Sequence, residues 1–180
     1  MQRTMNQTYS FVIILLQCIL LVACEEQASV FSTYAKPGGT RSFMEYASNT
    51  GPLLLMVQGH AFTERSKDEQ DAALARTMGD LVMGRVVRFT TDPGAAPQRT
   101  YRTMLVFNVP RDTNANLVCQ GEIPDQVAPD KHHFVLAVFC SRGDLLAAAR
   151  GLIRVQAGVE DAETREVLKG LVGALYVTEK

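Results

Sequence analysis

The sequence predicts an α/β fold, a single mixed-sheet α/β sandwich domain with helices packed on at least one face. Short apolar runs of strand length recur at Leu53–Gln58, from Tyr101 onward and at His133–Cys140. Segments with apolar residues at helical spacing lie between and after them. The first strand, helix and strand follow one another within about forty residues, which suits a crossover between parallel strands. The element order β-α-β-β-β-α-α gives one sheet that must bury its apolar faces against helices.

Residues Glu25 to about Thr50 read as a tether, since they carry Lys36-Pro37-Gly38-Gly39-Thr40 and hold no sustained period. Phe31, Tyr34, Phe43 and Tyr46 argue against full disorder and leave room for part of the tether to dock. Gly51-Pro52 opens Leu53-Leu54-Leu55-Met56-Val57-Gln58, a continuous apolar run fitting a strand buried on both faces. Ser66 and Glu69 have the spacing of a capping box. Leu74, Met78, Leu81 and Val82 follow on one helical face, and Gly84 stands as terminator, so a helix is expected over Lys67–Met83. Arg85–Thr90 alternates apart from Val86 and reads as the second strand.

Asp92-Pro93-Gly94 begins a turn-rich connection to Gln98. In the third strand Tyr101, Thr103, Leu105, Phe107 and Val109 share one face, and Arg102, Met104, Val106 and Asn108 the other. Pro110–Asp130 is polar and rich in Asn, Asp and Pro, so it is expected as a loop. His133–Cys140 is a further strand with Phe134, Leu136 and Val138 on one face. Gly143-Asp144 ends it and opens a helix with Leu145, Ala149, Leu152 and Ile153 as its stripe. A last helix begins near Asp161 and carries Leu168, Leu171, Val172 and Leu175. No internal repeat or low-complexity stretch interrupts this order.

The first 23 residues have another character. Arg3 is the one charged side chain before Phe11–Leu21, an apolar run broken only by Gln17. A positive end, an apolar core and small residues before a cleavage point make a secretory signal. The run is about half the length that crosses a bilayer. Leu21-Val22-Ala23-Cys24 resembles the lipobox of bacterial lipoproteins. That resemblance implies cleavage before Cys24, diacylation of its sulfur by palmitate-like chains, and usually acylation of its nitrogen. A plain secretory signal and a retained anchor are the alternatives. In the enteric bacterial rule an aspartate after the lipid cysteine favours the inner membrane, so Glu25 leans toward the outer one. The expected organisation is a signal peptide over 1–23, a tether over 24–50 and one α/β domain over 51–180.

Cleavage leaves 157 residues, enough for one domain with a real core. They hold 17 basic against 19 acidic side chains, so electrostatics gives no reason to expect nucleic acid or an anionic membrane surface as a partner. There is no tryptophan and aromatics are 7% of the chain, which weakly disfavours stacking on sugars. Cys18 is lost with the signal, leaving Cys119 and Cys140 in the body of the mature chain. An oxidising compartment favours a disulfide between them; two free thiols, or a redox or metal pair, are the alternatives.

Signatures of catalysis are missing from the sequence. It has no G-x-S-x-G elbow, Walker loop, H-E-x-x-H or C-x-x-C. Neighbours on a strand face opposite ways, so His132 and His133 are not expected to share a metal. His60 follows the first strand, where ligands of parallel sheets gather, yet its commoner role is that of a loop residue. Arg88, Arg99, Arg102 and Arg111 would form an anion-binding surface if their strands paired, against the plainer reading of solvated arginines with local acids. Arg99, Tyr101, Arg102, Phe107 and Asn108 also resemble a stretch of small uncharacterised proteobacterial lipoproteins, with Thr100 interrupting it. That likeness covers under a tenth of the chain and implies no activity.

The expectation is therefore a periplasm-facing lipoprotein, membrane-bound through its lipid, with no cofactor, metal or catalytic residue. It would serve envelope assembly or maintenance by binding an envelope protein. The alternative is a periplasmic enzyme or a binder of small anions that uses His60 with the Arg88/Arg102 surface.

Overall fold

The computed structural model describes residues 30–79 and 87–176. Their elements are β1 (Val30–Ala35), α1 (Arg41–Ala47), β2 (Leu53–Gln58), α2 (Lys67–Gly79), β3 (Phe89–Thr90), β4 (Tyr101–Phe107), α3 (Ala115–Gln120), β5 (His132–Ser141), β6 (Asp144–Arg154) and α4 (Ala162–Leu175). The strands form one mixed sheet in the order β1-β6-β5-β4-β2-β3. β2 is parallel to both β3 and β4, while β4–β5, β5–β6 and β6–β1 are antiparallel. The α/β sandwich expected from the sequence is thus present, and its first crossover joins the parallel pair β2 and β3 through α2.

Helices α1, α2 and α4 cover one face of the sheet. There Leu53, Leu55 and Val57 of β2 meet Leu105 and Phe107 of β4 and Val135, Ala137 and Phe139 of β5. The other face is covered by the short helix α3, over Met104, Val106, Leu136, Val138 and Ala148. Because both faces are covered, β5 is buried from His133 through Cys140 without alternation.

Residues 144–154, expected as a helix, are strand β6 instead. It pairs along its length with β5 and then with β1. Alanine is the best helix former, and Ala147, Ala148 and Ala149 make the segment look helical. Their small size has a packing cause. A Cβ on Gly151 would stand 2.8 Å from Val167 of α4, and one on Gly170 of α4 would stand 2.9 Å from Val30. Small residues on β6 let α4 lie close against the sheet.

Much of the expected tether also belongs to the fold. Val30–Ala35 forms edge strand β1 along β6, and Arg41–Ala47 forms α1 with Met44 and Ala47 buried. The Thr40 hydroxyl donates to the Leu175 carbonyl, and Lys36 N–H donates to Leu146 at 2.8 Å. Within the expected loop 110–130, Asn114 caps α3 by accepting from Asn116 N–H at 3.0 Å, and Gly121 (φ 95°) ends it. Six residues are too few to show a helical period.

The capping box at the start of α2 is formed. Ser66 N–H donates to Glu69 Oε2 at 3.0 Å and Glu69 N–H to Ser66 Oγ at 3.3 Å. The Glu69 carboxyl is held below the usual range by these bonds to Ser66. Leu81, Val82, Gly84 and Val86, the expected end of that helix and start of the next strand, lie outside the described residues. Val109 does not share the face of Leu105. Asn108 has φ 57°, which turns the chain and delivers Val109 beside Met104 and Val106.

Gly151→Ala is expected to cost roughly 1–3 kcal/mol through overpacking against Val167. Chemical denaturation reads the loss, and adding Val167→Ala should restore part of it.

Candidate functional site

The four arginines of the expected anion surface do not all come together. Arg99 precedes β4 and Arg111 follows it, so they lie toward opposite ends of a strand about 20 Å long. Arg88 lies before β3, which is separated from β4 by β2. Arg102 points its guanidinium at the carbonyl of Cys119, with Nη2 donating at 2.5 Å. His60 is exposed, and its Nε2 lies 2.7 Å from the Arg65 carbonyl within the same loop. It shares an end of the sheet with Arg111 only.

What the fold does build is a brace on the thinly covered face. Arg102 donates to Cys119 at the end of α3, and Arg150 on β6 donates from Nη2 to Thr113 just before it, at 3.0 Å. Cys119 and Cys140 form a disulfide with Cα atoms 5.7 Å apart, pinning α3 to β5. The Nε of Arg150 is buried without a hydrogen-bond partner. Together these fix α3 over a sheet it is too short to hold by packing alone. Arg150 escaped the sequence reading because it sat on an expected helix.

Beside the brace lies an open cleft of about 470 Å³ lined by Pro110, Asp112, Asn114, Leu117, Glu122 and Ile123. Its chemistry is apolar with two carboxylates at the margin. A second hollow of about 380 Å³ lies between the segment after β4 and that before β5, touching Asn108, Arg111, Val127, Lys131 and His132. Among the described residues no group of three or more His, Cys, Asp or Glu side chains is placed to hold a metal.

At that end of the sheet a polar cluster closes the first core. Buried Gln70 accepts from Ala61 and Phe62 N–H at 2.9 and 3.0 Å and donates to the Gly59 carbonyl at 3.1 Å. Buried His133 meets Asn108, with Asn108 Nδ2 to His133 Nδ1 at 3.1 Å, and packs beside Phe62. Its Nε2 is enclosed with no partner. Burial lowers the His133 pKa, against a smaller opposing pull from Glu64. A buried imidazole kept neutral here ties the stability of the fold to pH.

Three aromatics stand exposed among the described residues. Phe31 and Tyr34 stand 46% and 43% exposed on edge strand β1. Tyr46 on α1 is 59% exposed and meets Tyr101 edge-on at 5.8 Å.

No known protein family matches the chain, and no curated protein does. Among solved structures it is similar to a PelC dodecamer from Paraburkholderia phytofirmans, with 13% identity and a TM-score of 0.42, over 84% of this chain and 99% of that one. A single-substitution variant of that dodecamer matches with 17% identity and a TM-score of 0.34, over 81% and 92%. At these scores the likeness assigns neither fold nor activity.

Two outcomes are expected. Cys140→Ala should lower stability by about 3 kcal/mol, from the freed loop in the unfolded chain, and expose α3 to faster amide exchange. Stability should also fall as pH drops below about 6.5, because the unfolded chain binds a proton that buried His133 refuses. Denaturation midpoints between about pH 7 and 5.5 read the slope, and His133→Gln should flatten it.

Proposed function

We propose that this chain is a lipid-anchored, non-enzymatic lipoprotein of the bacterial envelope. It faces the periplasm from the outer membrane and binds an envelope protein through the open edge of β1. The anchor reading rests on Leu21-Val22-Ala23-Cys24 behind a short apolar core. The observation that carries the binding reading is the edge itself.

β1 is the terminal strand of the sheet and pairs only with β6 among the described strands. Natural edge strands are usually guarded by charge, proline or brevity. β1 runs Val30-Phe31-Ser32-Thr33-Tyr34-Ala35 with no charge and no proline, and presents Phe31 and Tyr34 to solvent. Such an edge can add a strand from a partner, with main-chain bonds giving affinity and ring contacts giving selectivity. Arg102 is engaged internally and Arg111 lies toward the other end of β4, so the four arginines do not form the single surface that the anion-binding alternative calls for.

Replacing Phe31 and Tyr34 together by lysine guards this edge without touching the core. The unfolding free energy should stay within about 0.5 kcal/mol of the parent. Crosslinking in cells, followed by mass spectrometry, should lose an identified envelope partner at least about tenfold, a change of roughly 1.4 kcal/mol. Light scattering on the purified domain tells whether that partner is another copy. An unchanged crosslink in the doubly substituted protein would refute the edge as the binding surface. A Cys24→Ser precursor that matures normally without palmitate would refute the anchor.

A further inference from the structure

The chain between the acylation point and the fold is short enough to set how the domain stands on its membrane. Cys24 and Val30 are six residues apart. Whatever path it takes, such a stretch spans at most about 20 Å. Val30 pairs with Gly151, and β1 runs antiparallel to β6. The end of β1 nearest Cys24 is therefore the end toward which β6 runs.

That direction separates the two ends of the sheet. Toward the β5–β6 turn, Asp144 lies seven strand steps from Gly151, about 23 Å from the level at which the tether enters the sheet. Toward the other end, β6 continues to Arg154 and Val155, roughly 13 Å past the level of Val30. There the Val155 N–H donates to the Lys131 carbonyl at 3.0 Å, and the Val127 N–H to the Asn108 carbonyl at 2.6 Å. These bonds hold two outward valines at the end of the sheet, Val127 47% and Val155 39% exposed, with exposed Lys131 on the same rim.

We propose that the sheet end carrying Val127, Lys131 and Val155 rests on the lipid headgroups, with the β5–β6 turn directed away from the membrane. The inference rests on acylation of Cys24, which supplies the fixed point. Apolar side chains settle at the boundary of headgroup and acyl chain, and a lysine beside them meets lipid phosphates. Asp125 and Asp130 lie in the same loop, so the valines carry more of the contact than charge does.

The absence of tryptophan from the chain allows a direct test. Val155→Trp, Val127→Trp and Asp144→Trp each place one indole in the acylated mature protein. The variants are reconstituted in phosphatidylethanolamine–phosphatidylglycerol vesicles containing lipid spin-labelled at the headgroup. Emission from the two valine positions is expected to be roughly halved, with Asp144→Trp unquenched. Protein that floats with the vesicles but shows equal emission at all three positions overturns this orientation and leaves the anchor standing. Protein that fails to float overturns the anchor, and the orientation with it. Equal unfolding midpoints of the three variants establish that each is folded.

Discussion

The hairpin of β5 and β6 must be covered on both sides, and the remainder of the fold answers to that demand. Eight consecutive buried residues on β5 leave no polar face to turn toward water. Cover on one side comes from three helices, of which α4 is the closest because Gly151 and Gly170 remove the side chains that would hold it off. Cover on the other side comes from a single helix of six residues. A helix this short has little intrinsic stability in water. It stays in place because a disulfide fixes one point of it and two arginines hold the main chain at either end. The two faces thus solve one problem by different means, area on one and point attachments on the other.

This difference decides how the arginines should be understood. A guanidinium that donates to a buried carbonyl from a half-covered strand has exchanged water for a fixed acceptor. Its fork is then less available to a carboxylate or phosphate from solution. Arg102 and Arg150 belong to this class, and the carbonyl that Arg102 holds is that of the disulfide-bonded Cys119 itself. Arg102, expected on a cationic surface, is instead part of the internal scaffold of α3. Arg99 and Arg111 remain exposed toward opposite ends of β4.

Elements with a strong period of their own were legible in the sequence. The run Leu53–Gln58, the capping box at Ser66 and Glu69, the strands from Tyr101 and from His133, and the stripe Leu168, Leu171, Val172, Leu175 each appear where local pattern places them. The failures share a cause, which is that the decisive partner is far away in sequence. Ala147, Ala149 and Gly151 of β6 are small on the face that α4 covers, and nothing within eleven residues records that. β1 and α1 lack a period because one is an edge strand and the other is two turns long. The Cys119–Cys140 pairing was legible from compartment and count alone, whereas Arg150 and the edge of β1 were not, since both depend on β6 being a strand.

Recovering β1 and α1 from the tether changes the mechanics of an anchored molecule. A spacer of 27 residues would let the domain roam over tens of ångströms and turn freely, so that no face would have a preferred relation to the lipid. With Cys24 acylated as proposed, the five residues between it and the sheet would do the reverse. They would hold the start of β1 within about 20 Å of the lipid. A partner bound along that edge would run roughly across the membrane plane rather than parallel to it, since β1 rises from its membrane-proximal end. Nearness also raises the effective concentration of any second membrane-bound component without new contacts. On the proposed reading the short linkage and the unguarded edge would reinforce one another, the first holding the surface near the lipid and the second offering main-chain groups to a partner.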